Sequence, residues 1–352
     1  MGTRAAILGD GAMGTLSAIL LAQNGRRVRM WSAFEEHARD IRRERENKRF
    51  LPGFRLPDGF AVSTDAREVC EGADLVVIAV PTKHLRSVLE RVKAALPAGA
   101  LYVSVVKGIE RETLLRPSQV IEAVAGPKFT RRGGRLAVLS GPCLSREVAA
   151  GLPATVVVAS ADPKDAEAAR SAFATPHFRI YTNDDLVGVE LGGALKNITA
   201  IAAGICDGLE LGSNAKAALV TRGLVEMTRL GAALGARPET FAGLAGLGDL
   251  VTTCASSLSR NHHVGEEIGR GRRLEEVLEE MGRVEAEGVE TTRSVVALAA
   301  KCGVEMPITQ EVYAVLFEGK PAPDALADLM SRRPKAERPA APATANPDSS
   351  ET

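Results

Sequence analysis

The chain has 352 residues, with 44 Lys+Arg against 44 Asp+Glu. The length favours two domains, and the balanced charge excludes the basic excess of a nucleic-acid binder, so an anionic ligand must be held by a local site. No apolar run reaches the roughly 18 uncharged residues of a membrane span, and the start, Met-Gly-Thr-Arg, runs into an apolar strand with neither a signal-peptide nor a myristoylation pattern. Five cysteines, Cys70, Cys143, Cys206, Cys254 and Cys302, are scattered without a C-x-x-C pair. That spacing predicts no disulfide framework and no metal site, and it fits a reducing, cytoplasmic compartment.

In chain order, Ala5 to Leu8 reads as a first strand, followed by glycines and a helix from Met13 to Asn24 that Gly25 should stop. Val28 to Trp31 is the second strand, and Ser32 with Glu35 predicts a capping box for the charged helix after it. Continuous apolar runs at 75–80, 101–106, 136–140 and 155–159 predict strands buried on both faces, with helices between them. This alternation predicts a parallel, doubly wound α/β sheet of the Rossmann type over residues 1–182. From 183 to 330 the pattern is helical throughout, including a long apolar helix over 186–206, and predicts an all-α second domain. The stretch 331–352, rich in Pro, Ala, Ser and charge, predicts a disordered tail.

Gly9-Asp10-Gly11-Ala12-Met13-Gly14 fits G-x-G-x-x-G between a predicted strand and a predicted helix. Gly9 permits the tight turn, Gly11 lets the backbone approach a pyrophosphate, and Gly14 lets the helix pack against the strand. The helix N-terminus then offers free N–H groups and a partial positive charge to the phosphates. The tip of the second strand, Met30-Trp31-Ser32-Ala33, carries neither the acid that binds the ribose of NAD nor an Arg for the phosphate of NADP, so both cofactors stay open.

Three further clusters carry chemistry. Lys107 lies just past a strand end, where open α/β sheets bind ligands. Lys196, beside Asn197 inside the apolar helix, either snorkels or serves as an acid/base whose pKa burial lowers. Gly246-Leu247-Gly248-Asp249-Leu250 and Ser259-Arg260-Asn261 combine an Asp that could orient a Lys with a charged fork and amide suited to phosphate oxygens. The plain alternatives are a helix-capping Asp and surface cations. His262 and His263 are adjacent and point apart on a helix, which predicts structural rather than metal-binding roles.

Together these segments resemble the bacterial-type NAD(P)-dependent glycerol-3-phosphate dehydrogenases from about Ala5 to Phe317. The resemblance rests on the glycine loop, Lys107-Gly108, Ser140-Gly141-Pro142 to Glu147, Val189 through Lys196-Asn197, Gly246 to Leu250, Ser259-Arg260-Asn261 and Glu287-Gly288. It implies that Lys196 is the general acid/base, and that Lys107, Gly141, Cys143, Asp249, Ser259, Arg260 and Asn261 contact substrate. It implies cofactor contacts at Gly9, Gly11, Ala12, Met13, Gly14, Lys107, Ser145, Arg260 and Glu287. The chain departs from the family where Ala12-Met13 replaces a common Ser-aromatic pair and where Gly212-Ser213-Asn214 replaces Gly-Asp-Asn. The expected reaction is reversible NAD(P)H-dependent reduction of dihydroxyacetone phosphate to sn-glycerol 3-phosphate, which supplies the glycerophospholipid backbone. Partners are then a small-molecule substrate and, as an assembly, a homodimer, with no nucleic acid. The competing readings are a related dehydrogenase of 3-hydroxy or sugar acids, which would not need Arg260-Asn261, and a catalytically silent NAD(P) sensor, which would not keep Lys196.

Overall fold

The computed structural model describes residues 3–126, 134–282, 285–334 and 336–337. Eight strands form one sheet: β1 (Arg4–Leu8), β2 (Arg27–Trp31), β3 (Ala61–Ser63), β4 (Leu75–Ile78), β5 (Leu101–Ser104), β6 (Arg135–Ser140), β7 (Ala154–Ala159) and β8 (Phe178–Asn183). Their order is β3-β2-β1-β4-β5-β6-β7-β8. The first six follow the order 3-2-1-4-5-6 of a dinucleotide-binding sheet, so the sheet reverses direction of growth between β1 and β4. The apolar runs alternate between the two faces: Leu75 and Val77 join one core, Val76 and Ile78 the other.

The expectation of a wholly parallel sheet fails at one step, because β7 runs antiparallel to β6. Between them lies only a five-residue helix, Ser145–Ala149. A parallel return needs a crossover helix long enough to run back the length of the strand; five helical residues span only about 7.5 Å, and this connection turns back instead. Two short or half-exposed strands, β3 and β8, carry too little apolar pattern to read from sequence. The expected capping box is also absent. The helix starts at Glu35 with Phe34 at its N-cap, so Glu35 occupies the first turn rather than reaching back. The Ser32 hydroxyl instead donates to Asp10 at 2.6 Å and accepts from the Phe34 N–H at 3.2 Å.

Helices cover both faces: α1 (Ala12–Gln23), α2 (Glu35–Glu44), α3 (Ala66–Cys70), α4 (Thr82–Val92), α5 (Pro117–Ala125), α6 (Ser145–Ala149) and α7 (Pro163–Phe173). After β8 every described element is helical: α8 (Leu186–Gly208), α9 (Gly212–Ala233), α10 (Pro238–Phe241), α11 (Asp249–Ala255), α12 (Arg260–Gly269), α13 (Leu274–Met281), α14 (Glu287–Cys302), α15 (Pro307–Phe317) and α16 (Ala322–Ser331). A π-helical turn, Leu244–Gly248, feeds α11. Helix α8 is the core of this half, and it is long and apolar enough to cross a membrane, but 89% of its apolar window is buried inside the protein. Ser331, expected in the tail, still ends α16; residues 335 and 338–352 lie outside the described residues.

Helices α8 and α12 meet backbone to backbone. A Cβ on Gly204 would stand 2.0 Å from the His262 carbonyl oxygen, and one on Gly265 would stand 1.9 Å from that of Ile201. Gly208 and Gly269 make the same kind of contact one turn further along. These four glycines, two on each helix at i, i+4 spacing, thus bring the start of α12 against α8, with Asn261 on Asn197.

Candidate active site

The glycine loop opens at the switch point of the sheet. Gly9 has φ +114°, and a Cβ there would stand 2.4 Å from the Ala79 carbonyl oxygen just past β4. Gly14 lies under it, 2.1 Å from the Gly9 carbonyl oxygen by the same measure. Gly11 differs: a Cβ would meet nothing within 4 Å. It is the N-cap of α1, which has no side-chain cap and no acid in its first turn. The open side of Gly11 and the free N–H groups of α1 therefore fit an anion such as a dinucleotide pyrophosphate. They border a cleft of about 820 Å³ that also takes in Ala12, Phe34, His37, Arg49, Pro81, Ser145, Leu258 and Arg260. One of the expected cofactor residues, Met13, stands behind this wall. Met13 packs on the sheet core, and its sulfur accepts the Ser145 hydroxyl at 3.1 Å.

Lys83 of α4 and Glu285, before α14, pair at 2.8 Å across the mouth of the cleft. Glu287 borders a second cavity of about 340 Å³, which Thr82 also lines.

Where the halves meet, three charged groups converge. Lys196 of α8 donates to Asp249 Oδ1 and, at 2.6 Å, to Thr253 Oγ1. Lys107, beyond β5, crosses from the sheet to reach Asp249 Oδ2 at 2.6 Å and the Gly141 carbonyl at 3.2 Å. Lys196 is 6% exposed and Asp249 2%. Gly193 makes room for this crossing, since a Cβ on it would lie 3.4 Å from the Lys107 stem and 2.7 Å from Ser140 Oγ.

The electrostatics follow from burial and pairing. Burial pushes Lys196 down to about 8, aided by the like charge of Lys107 and opposed by Asp249. Burial also works against the Lys107 ammonium, but the Asp249 carboxylate outweighs it and holds Lys107 above the ordinary lysine value. The two lysines overcome the burial of Asp249 and keep its carboxyl below the usual range. Two ammoniums facing one carboxylate leave an excess of positive charge, suited to an anion or to a carbonyl oxygen gaining charge. Burial raises the nearby Cys143 thiol, so it is a protonated, half-buried wall of the site rather than a thiolate.

Asn197 and Asn261 form a second, polar layer. Asn261 Nδ2 donates to Asn197 Oδ1 at 3.0 Å, and Asn261 Oδ1 accepts the Gly288 N–H at 2.9 Å. Ser259 caps α12 by accepting the His262 N–H at 3.3 Å. Arg260 follows at the first position of that helix, exposed and on the wall of the cleft. His262 turns away from both, into contact with Asp207 at 2.7 Å. Sequence reasoning missed Thr253 and the bridging role of Asn197. Thr253 stood four residues beyond Asp249 on one helix face, a spacing that could have flagged it.

Comparison with known proteins agrees with this geometry. Residues 4–166 match the model of the NAD-dependent glycerol-3-phosphate dehydrogenase N-terminus, and residues 185–327 match that of the C-terminus. The glycerol-3-phosphate dehydrogenase [NAD(P)+] of Geobacter metallireducens is 50% identical over 338 residues, 96% of this chain and 100% of that one. That of Chlorobium limicola is 49% identical over 94% of this chain and 98% of its own length. The crystal structure of glycerol-3-phosphate dehydrogenase from Coxiella burnetii superposes with a TM-score of 0.88 at 39% identity, covering 94% of this chain and 99% of that one. A ketopantoate reductase from Ralstonia eutropha, at 16% identity and a TM-score of 0.60, shares the fold alone. The hydroxy-acid and silent-sensor readings are thereby set aside. With both halves matched and the lysine–aspartate cluster formed between them, the chain belongs to the NAD-dependent glycerol-3-phosphate dehydrogenase family.

Proposed function

We propose that Lys196 is the general acid and base for the interconversion of dihydroxyacetone phosphate and sn-glycerol 3-phosphate, the glycerophospholipid backbone. The observation that carries this is a buried lysine at about 8, hydrogen-bonded to the same carboxylate as a second, charged lysine. A bound NADH or NADPH supplies the hydride. As charge grows on the C2 oxygen, Lys107 and Lys196 stabilise it, and Lys196 delivers the proton. Asp249 positions both ammoniums, and Thr253 fixes the Lys196 rotamer. In this reading residues 1–182 hold the cofactor and 183–330 the substrate, with Lys107 serving both. Gly141 and Cys143 wall the substrate, and Ser145 and Glu287 border the cofactor. The five free, dispersed cysteines support a cytoplasmic setting.

Lys196→Met tests the assignment. It removes a proton donor and a charge needed chiefly in the transition state, so kcat should fall about 10²–10⁴-fold with cofactor affinity nearly unchanged. A variant that keeps a tenth of wild-type turnover rules Lys196 out. The substrate phosphate is assigned to Arg260, whose exposed fork lines the cleft, with Ser259 and Asn261 beside it. At saturating cofactor, Arg260→Ala should slow dihydroxyacetone phosphate by roughly 10–100-fold, as expected for a lost charge-assisted bond, and unphosphorylated dihydroxyacetone hardly at all. Equal losses on both substrates would remove phosphate recognition from Arg260.

A further inference from the structure

We propose that Arg49, set against His37, reads the 2′-phosphate of the dinucleotide, so that this chain selects NADPH over NADH; the proposal rests on the dehydrogenase reading only for the presence of a dinucleotide in the cleft. In a sheet of this kind the adenosine ribose lies beyond the tip of the second strand, where an acid favours NAD and a cation favours NADP. Here the tip of β2 passes through Trp31, Ser32, Ala33 and Phe34 and offers neither. The discriminating group must come from another segment.

Of the acids nearby, Glu36 is exposed and does not border the cleft, and the other two are engaged. Glu35 pairs with Arg42 and accepts the Thr64 hydroxyl at 2.9 Å. Asp10 Oδ2 accepts the Ser32 hydroxyl at 2.6 Å and lies 3.4 Å from His37 Nδ1. Neither presents the free carboxylate at the strand tip that a ribose diol requires.

A cation does reach this place. Asn47, 3% exposed, donates to the Asp10 carbonyl at 2.7 Å and to Thr15 Oγ1 at 2.8 Å. Its own side-chain oxygen accepts the Phe50 N–H at 3.2 Å, and its carbonyl accepts the Leu51 N–H at 2.9 Å. The turn that carries Arg49 is thus tied directly to the glycine loop. Its guanidinium lies 5.4 Å from the Phe50 ring centroid and contacts His37 Nε2. Among the described residues no carboxylate pairs with Arg49. Ala33, Phe34, His37, Arg49 and Phe50 line the same cleft as Gly9 and Gly11. A planar fork backed by an imidazole suits a phosphate dianion, and this site is separate from the α1 N-terminus that serves the pyrophosphate.

NADP⁺ and NAD⁺ differ only in the phosphate in question, so their equilibrium binding, measured by titration calorimetry on the full chain, isolates it. Wild type should bind NADP⁺ about 10–100-fold more tightly than NAD⁺, the range of one charge-assisted contact. Arg49→Met should remove most of that difference by weakening NADP⁺, leaving NAD⁺ within about twofold, because Arg49 is exposed and supports no core contact. Arg49→Lys should fall between the two, keeping charge but losing the fork. Equal wild-type affinity for the two dinucleotides, or a loss shared equally by both in Arg49→Met, overturns the proposal alone. Failure of wild type to bind either dinucleotide overturns the dehydrogenase reading and this proposal with it.

Discussion

Lys196 shows how one residue acquires its chemistry from its surroundings. An apolar helix core disfavours its ammonium, and Asp249 restores part of what burial removes, leaving a group at about 8. With Lys196 as the proposed proton donor, reduction draws on its ammonium form, so kcat/KM should fall by about tenfold per pH unit above that value. Oxidation uses the free amine and should rise with pH through the same value. Asp249→Asn removes the group that raises Lys196 while the like charge of Lys107 stays, so the falling limb for reduction should move to lower pH. Rates in both directions across pH 6–10 (an approximate window) check this. A limb that stays put, or moves upward, would mean that another group titrates. The lysine itself was legible in the sequence, because a charge inside an apolar helix is conspicuous. Its partner was legible only as a residue able to orient a lysine, since Asp249 lies 53 residues from Lys196 and 142 from Lys107.

At the scale of elements, two kinds of glycine separate binding from packing. Gly11 has φ −71°, which any residue adopts, and open space where a Cβ would go. Gly11→Ala should leave Tm within about a degree, since the fold meets no clash. It should weaken cofactor binding at least about tenfold, because the methyl stands where the pyrophosphate approaches. Gly265 is the opposite case, with backbone 1.9 Å from a Cβ position at the α8–α12 crossing. Gly265→Ala must part the two helices, at about 1–3 kcal/mol or more. Its Tm should drop by at least ~3 °C, and thermal denaturation of the two variants side by side decides between them. The strands with continuous apolar runs were readable from sequence, as was α1. Strand β3, with three residues, and β8, with alternate residues in solvent, were not, because their neighbours in the sheet stabilise them more than their own side chains do.

Over the whole molecule, the cluster at Asp249 exists only while the two halves stay docked. Glu190 of α8 contributes to that docking. Its carboxylate accepts the Ser118 N–H at 2.8 Å and the Ser118 hydroxyl at 2.6 Å, and it pairs with Arg116, all at the start of α5 on the sheet side. The α5 N-terminus is thus capped by a residue of the other half. Glu190→Ala leaves a half-buried guanidinium without its carboxylate and the buried Ser118 N–H and hydroxyl without an acceptor, which should destabilise the chain by about 1–3 kcal/mol. Urea unfolding with paired turnover measurements tests it. A midpoint equal to wild type would show that docking does not depend on this contact.

What the sequence determined by itself was local. G-x-G-x-x-G after a strand, apolar runs of strand length and a helical second half lie in neighbouring residues, and near neighbours fix backbone geometry. The third dimension decided which distant groups meet. It turned β7 antiparallel, drew Ser32 to Asp10 instead of a helix cap, and linked Asn197, Asn261 and Gly288. It also carried Arg49 from a separate loop to the end of β2 through the buried amide of Asn47. Such meetings depend on close packing and on pairing buried polar groups across long stretches of chain, and no spacing within a single segment encodes them.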